Sequence, residues 1–253
     1  MSVYLDTPEK WRRLNDYILN EYSDKVIGFD TEFDGVDFSD GDNCVGRSQL
    51  DVWSLALYDG GSSPRGFDTA RGYVLPRLAL FALAPVLTSP DIKKVAHNGV
   101  VDVHTCYNLG VDVLSMVDTL NVFRFLYPGK LKYSLDALGK EYLDSGKFHS
   151  FKEICGEPIF VDKEREVTVC SCGVEGCRLR KIRDNQVHIK SKVVVTDSVM
   201  TKKFRYRKIA DITQSDPKWE AKIEYAAQDA VVALQLYSYA VRRMKAKNYE
   251  NPF

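Results

Sequence analysis

Apolar positions along the chain alternate between helical and extended spacing, and most elements can be read from where the spacing changes. Thr7-Pro8-Glu9 has the signature of a helix start, with Thr7 as cap and Pro8 in the first turn. Trp11, Leu14, Ile18 and Leu19 then recur at amphipathic spacing until about Ser23. Lys25 to Phe29 is a short apolar run suited to a buried strand, and it opens into Asp30-Thr31-Glu32-Phe33. Residues Asp34 to Gly46 read as an acidic, glycine-dotted loop. Two further strands are predicted at Leu50–Tyr58 and Gly72–Leu75, joined by the turn-rich Asp59 to Pro64.

A helix is then expected at Pro76–Leu87, a strand at Lys93–Ala96, and a helix at Val100–Leu109 stopped by Gly110. Val111–Val117 is the next strand candidate, followed by helices at Thr119–Leu126 and Ser134–Tyr142. The last long helix runs from about Pro217 to Lys247, with Ile223, Ala226, Ala227, Ala230, Val231 and Leu234 on its buried side. Strands first, helices later and an alternating β–α–β middle indicate an α/β or α+β sheet protein. Between Phe151 and Lys208 the pattern changes to β-branched runs with clustered thiols, which reads as an inserted subdomain over residues 151–208 of a single domain spanning 1–253.

Composition narrows the class. The 253 residues are 45% hydrophobic, enough to fill a core, and 35 basic side chains balance 35 acidic ones. A uniformly basic nucleic-acid coat is excluded, though local basic patches are not. No apolar run reaches the roughly 18 residues of a membrane span. Met1 to Glu9 lacks the basic start and apolar stretch of a secretory signal. The expectation is an intracellular, cytoplasmic protein without membrane attachment (in the host cytoplasm for a virus-encoded chain).

Asp30 and Glu32 lie two apart on a predicted strand, so both project from one face. Tyr225 and Asp229 lie four apart on a predicted helix and also share a face. Asp102 falls early in the helix after the Lys93–Ala96 strand. If the fold gathers Asp30, Glu32, Asp102 and Asp229, their mutual repulsion calls for cations. Two Mg2+ or Mn2+ ions, which prefer oxygen ligands, would relieve it, and such a pair suits in-line attack on a phosphodiester.

In this order, three segments resemble the motifs of the DEDD 3′–5′ exonucleases. Phe29-Asp30-Thr31-Glu32-Phe33 is similar to the first and Val95-Ala96-His97-Asn98-Gly99-Val100-Val101-Asp102 to the second. Tyr225-Ala226-Ala227-Gln228-Asp229 is similar to the third in its tyrosine form, found in the proofreading domain of family-A DNA polymerases and in RNase D-like ribonucleases. Val117-Asp118-Thr119-Leu120 and Tyr133-Ser134-Leu135-Asp136-Ala137-Leu138 also resemble that family. The resemblance covers about Val26 to Tyr239 without the insertion. It implies a ribonuclease H-like fold, a mixed central sheet flanked by helices. It also implies that Asp30, Glu32, Asp102 and Asp229 are metal ligands and that Tyr225 positions the nucleophile, with Glu32 also a contact for the terminal 3′ hydroxyl.

Neighbouring residues have more than one reading. His97 and Asn98 are candidates for phosphate contact, Asn98 equally for a helix cap. Phe33 is a candidate to wedge against the terminal base or a plain core phenylalanine. Asp118 reads as the cap of the helix beginning at Thr119.

Cys170, Cys172, Cys177 and His188 supply three thiolates and an imidazole, a usual set for one structural Zn2+, with Cys155 or His149 as alternative fourth ligands. Glu166–Val169 and Gln186–Val195 read as the strands of a small zinc-held hairpin. From Arg178 to Lys208 eleven basic residues face two acidic ones. Arg178, Arg180, Lys181, Arg183, Lys202, Lys203 and Arg205, interleaved with Phe204 and Tyr206, are the candidate nucleic-acid contacts there. The chain ends at Phe253, which leaves no room for a polymerase domain after the third motif. The leading expectation is a stand-alone 3′–5′ exonuclease on single-stranded or frayed 3′ ends, with DNA favoured over RNA, proofreading in trans beside a separate DNA polymerase subunit. An RNase D-like exoribonuclease and a catalytically silent nucleic-acid-binding module are the alternatives.

Overall fold

The computed structural model describes residues 2–34, 49–63, 65–143, 150–170, 182–183, 186–187 and 190–247. The chain forms two compact units, one of residues Met1–Cys155 and Lys208–Phe253, the other of Gly156–Arg207.

The first unit is built on a six-stranded sheet. Its strands are β1 (Val3–Tyr4), β2 (Val26–Asp34), β3 (Gln49–Ser62), β4 (Asp68–Pro76), β5 (Lys93–Ala96) and β6 (Met116–Asp118), in the spatial order β1-β4-β3-β2-β5-β6. Strands β2, β3 and β4 form an antiparallel meander, while β5 and β6 add to β2 in parallel and β1 adds to β4 in parallel. This is the mixed sheet flanked by helices that the resemblance implies.

Alternation sorts the side chains to two faces. Ile27, Phe29, Trp53, Leu55 and Leu57 join a core with Trp11, Leu14 and Ile18 of α1 (Pro8–Asn20) and with Leu80, Leu83 and Leu87. On the other face lies α8 (Trp219–Ala246), a helix of 28 residues whose Ala226, Ala227, Ala230 and Ala233 are buried. α8 sits unusually close to the strands because two sheet positions carry no side chain. A Cβ on Gly28 would lie 2.2 Å from the Ala230 carbonyl oxygen, and one on Gly72 would lie 2.8 Å from the Ala227 Cβ. Between them the Ser54 hydroxyl donates to the Ala226 carbonyl at 2.7 Å. A register shift between β2 and β3 leaves Asp51 as the extra residue on β3. The Asp51 carboxylate binds the buried Lys222 ammonium at 2.6 Å, and that ammonium also donates to the Ile212 carbonyl at 2.9 Å. Small residues and one anchored lysine thus fix the height and register of α8.

Several predicted elements change on folding. The Pro76–Leu87 helix divides into α2 (Ala79–Ala82) and α3 (Ala84–Leu87), because Pro85 has no N–H to continue the first and sits in the opening turn of the second. Val111–Val117 contributes a strand only at Met116–Asp118, since Ser115 adopts φ of 54° and breaks the extended run. Ser134–Tyr142 becomes α6 (Leu135–Leu138) followed by a π-turn at Gly139–Leu143, which carries Tyr142 into an aromatic cluster with Phe123, Tyr127 and Tyr239. α4 (Val100–Asn108) and α5 (Thr119–Leu126) form as predicted, with Gly110 in the left-handed region after α4. α7 (Phe151–Cys155) belongs to the first unit, where Cys155 is buried with Ile154, Ile209 and Ile212. Lys94 is fully buried on β5, and its ammonium donates to the carbonyls of Ser89 and Ile92 at 2.7 Å each, with Val86 at 3.4 Å.

The second unit is a long antiparallel ribbon of β7 (Gly156–Cys170) and β10 (Lys190–Tyr206), with a short pair β8 (Ile182–Arg183) and β9 (Gln186–Val187). The predicted strand Glu166–Val169 lies inside the longer β7, whereas the predicted Gln186–Val195 is divided between β9 and the start of β10, with residues 188 and 189 outside the described residues. Lys202 and Lys203 fall in a register shift between Met200 and Phe204, and Arg205 is exposed opposite Glu157. Among the described residues no helix is long and apolar enough to cross a membrane.

The glycine contact makes a direct prediction. Gly28→Ala should lower the unfolding free energy by about 1–3 kcal/mol in a urea titration, because the added methyl meets a helix carbonyl rather than a movable side chain. An unchanged midpoint would show that α8 is not held at this height.

Candidate active site

Asp30 and Glu32 occupy one face of β2, and Asp229 descends from α8 onto the same face. One carboxylate oxygen from each of the three lies within 4.8 Å of the others. Asp30 and Glu32 are half-buried and Asp229 is buried. Three anions this close resist simultaneous ionisation in the absence of a cation, and their oxygens are the donors that Mg2+ or Mn2+ prefers. The residues present therefore fit a divalent ion.

Asp102 reaches the same strand from the other side. The pairing of β2 with β5 ends at Gly28, and beyond it the Thr31 backbone N–H donates to Asp102 Oδ1 at 2.8 Å. The Thr31 hydroxyl donates to the same oxygen at 2.6 Å. Thr31 points away from Asp30 and Glu32 by the alternation of the strand, so Asp102 is held against the residue between them and is not one of the clustered three. Burial pushes its carboxyl up to about 6, the two Thr31 bonds pull it back, and Asp118 raises it further.

Tyr225 lies one turn before Asp229. Burial raises its phenol first, and the charges of Glu32, Asp229 and Asp30 raise it further, so the hydroxyl stays protonated and able to donate. Asp118 is a helix cap, as expected. Its Oδ1 accepts from the Leu120 N–H at 2.9 Å and also from the Asn98 N–H at 2.8 Å. Asn98 is not the cap of α4. It adopts φ of 60°, and Gly99 takes the cap position. The Thr119 hydroxyl donates to the Ala96 carbonyl, so the 2.9 Å contact from His97 Nδ1 to that hydroxyl assigns the imidazole proton to Nδ1.

Asp30, Asp229, His97 and Asn98 line one open cleft of about 660 Å³ together with Leu120, Arg124, Leu131, Tyr133, Ser134 and Leu135. Phe33 is half-buried, pairs with Leu50 after the bulge, and does not line this cleft. Sequence reasoning missed Thr31, Arg124 and Leu131. Arg124 is an exposed position on an amphipathic helix and Leu131 is 98% exposed in a loop, so neither carries a periodic signal. Tyr133 lies in a segment the motif comparison touched, without a role.

Cys172, Cys177, His188, His149, Arg178, Arg180 and Lys181 lie outside the described residues, as does all of the predicted acidic loop after Asp34. Cys170 ends β7, and Arg183, Lys202 and Lys203 are described as strand backbone. Cys155 packs within its isoleucine cluster as a small apolar side chain.

A family model described as 3′–5′ exonuclease matches residues 6–158. Among curated proteins no match is found. Among solved structures, NrnC of Brucella melitensis superposes with a TM-score of 0.54 at 15% identity, covering 98% of this chain and 82% of that one. The same protein bound to pGG gives a TM-score of 0.53 at 15% identity over the same shares. RNase D of Escherichia coli, an exoribonuclease involved in structured RNA processing, gives 0.55 at 15% identity, covering 98% of this chain and 46% of that one. These likenesses are of fold.

Asp102 sets a pH dependence. The folded chain holds its proton to about pH 6, whereas an unfolded carboxyl loses it near 3.8. Stability without metal therefore falls as pH rises through that interval. A divalent ion favours the ionised form, so the rise in Tm caused by Mn2+ should grow between about pH 5 and pH 7. Thr31→Val removes a bond that lowers the value and should move this growth to higher pH. An increment independent of pH in both proteins would exclude the coupling.

Proposed function

The chain belongs to the 3′–5′ exonuclease family, and from that premise we propose that it removes nucleoside monophosphates stepwise from single-stranded or frayed 3′ ends with two divalent cations. The observation that carries this reading is the approach of Asp30, Glu32 and Asp229 to within 4.8 Å at the wall of an open cleft, with Asp102 bonded to Thr31 between the two strand acids. Asp30, Glu32, Asp229 and Asp102 would hold the ions, which when bound supply Lewis acidity to the attacking water and the leaving 3′ oxygen.

The chain's own groups do the positioning. The Tyr225 hydroxyl, kept protonated by burial and by the acids around it, donates a hydrogen bond that orients the water. Glu32 accepts from the terminal 3′ hydroxyl. His97 and Asn98, fixed by Thr119 and Asp118, flank the phosphate at the cleft wall.

The flanks of the second motif favour DNA as substrate, with proofreading in trans beside a separate polymerase subunit. A second reading, an exoribonuclease, is favoured by the fold neighbours: NrnC is described with bound pGG, and RNase D as an exoribonuclease. For the inserted unit we propose a structural Zn2+ on Cys170, Cys172, Cys177 and His188. A two-stranded ribbon is marginal alone, and a metal would supply the missing stability. The basic residues from Arg178 to Lys208 are proposed to bind nucleic-acid backbone.

Digestion of 5′-labelled DNA and RNA oligomers of matched sequence should give a Mg2+- or Mn2+-dependent ladder, abolished by Asp30→Ala. Tyr225→Phe should slow it roughly a hundredfold. Strand binding without any ladder would identify a silent binding module instead. Elemental analysis of protein purified without chelator should find about one zinc per chain. Its absence would remove the zinc claim alone.

A further inference from the structure

Beyond the acids, the cleft wall continues into a surface of cations and tyrosine rings that the catalytic reading leaves unused. Arg124, on the wall, lies over the ring of Tyr133 at 5.8 Å. The Tyr133 hydroxyl donates to the Tyr127 carbonyl at 2.6 Å and accepts from the Lys130 N–H at 3.0 Å. Tyr127 stacks on Tyr142 with centroids 5.1 Å apart, and Tyr142 meets Tyr239 at 5.1 Å. Cations border these rings. The Lys130 ammonium stands 5.1 Å from the Tyr142 centroid, Lys247 stands 6.0 Å from that of Tyr127, and the Arg243 guanidinium neighbours the Tyr127 hydroxyl. The four tyrosines are half-buried, while Arg124, Arg243 and Lys247 are exposed.

Charge here is one-sided. Residues 119–135 contain Arg124, Lys130 and Lys132 and no acid, and residues 240–247 contain Arg242, Arg243, Lys245 and Lys247 and no acid. Glu141 pairs with Lys130 and Asp68 with Arg242, leaving a cationic excess in a chain of zero net charge.

We propose that this surface is a second nucleic-acid subsite, which holds the single strand upstream of the 3′ end lying in the cleft. Cations alone would fit any polyanion. Half-buried rings interleaved with them add aromatic surface beside the cations, against which unpaired bases can pack, and that pairing of features fits a single strand rather than an acidic protein. The inference rests on the exonuclease reading of the cleft, because it takes the strand's direction from that reading.

The test separates short from long substrates. Arg243→Gln/Lys247→Gln leaves the cleft intact, and its Tm checks the fold. On a dinucleotide the double variant should keep the wild-type rate. On a single strand of about twelve nucleotides its KM should rise on the order of tenfold at low salt, with kcat unchanged. Loss of two phosphate contacts should also flatten the dependence of log KM on log salt by about 1.4. Equal losses on both substrates, or none on either, would overturn the proposal. The latter result would leave an acidic protein as the occupant. If no substrate is cleaved by any form, the exonuclease reading fails by itself. Fluorescence anisotropy of the labelled long strand in EDTA then still reads the subsite, where unchanged affinity in the double variant would refute it.

Discussion

The close seating of α8 on the sheet is the constraint on which the site depends. Asp229 and Tyr225 have no sequence neighbours among the other acids. They reach Asp30 and Glu32 only because Gly28 and Gly72 leave room for the helix backbone, and because Ser54 and the Asp51–Lys222 pair fix its register. A helix lifted by one methyl layer would carry Asp229 out of range of the strand. Packing of small residues, rather than any direct attraction between like-charged carboxylates, sets their separation. The fold thus imposes an electrostatic conflict that cations resolve.

The acid set comes from three elements, which hold it in two ways. Asp30, Glu32 and Asp229 share the α8 face, whereas Asp102 approaches from α4 and takes the amide and hydroxyl of Thr31. The strand is therefore clamped at the residue between its two cluster acids. This makes the second motif a brace for the first as well as a source of charge. It also explains why Asp102 holds a proton so far above the usual carboxylate range, since it is buried among helix and sheet with Asp118 near.

Much of this was legible before any coordinates. Period-two alternation put Asp30 and Glu32 on one face, the four-residue spacing put Tyr225 and Asp229 on another, and α5 and β5 matched their predicted limits. What the sequence withheld was set by tertiary contact. Nothing local announces that Ser115 and Asn98 adopt positive φ, that Pro85 begins a second helix rather than ending the first, or that Asp51 bulges to meet Lys222. The placement of Asp102 was only half legible. Its motif gave the residue, but nothing local announced its two bonds to Thr31, whose small polar side chain looked like filler between two acids. The cleft's Arg124 and Leu131 were invisible for a related reason: exposed side chains obey no burial period.

Lys94 carries a consequence of its own. Its ammonium is sealed inside the first unit against three carbonyl oxygens, and burial pushes it down to about 8. An unfolded lysine keeps its proton to about 10.5. Between those values the native chain sheds a proton that the denatured chain retains, so mild alkali relieves an internal strain of charge. This lysine thus works against Asp102, whose ionisation burdens the fold on the acid side of neutrality.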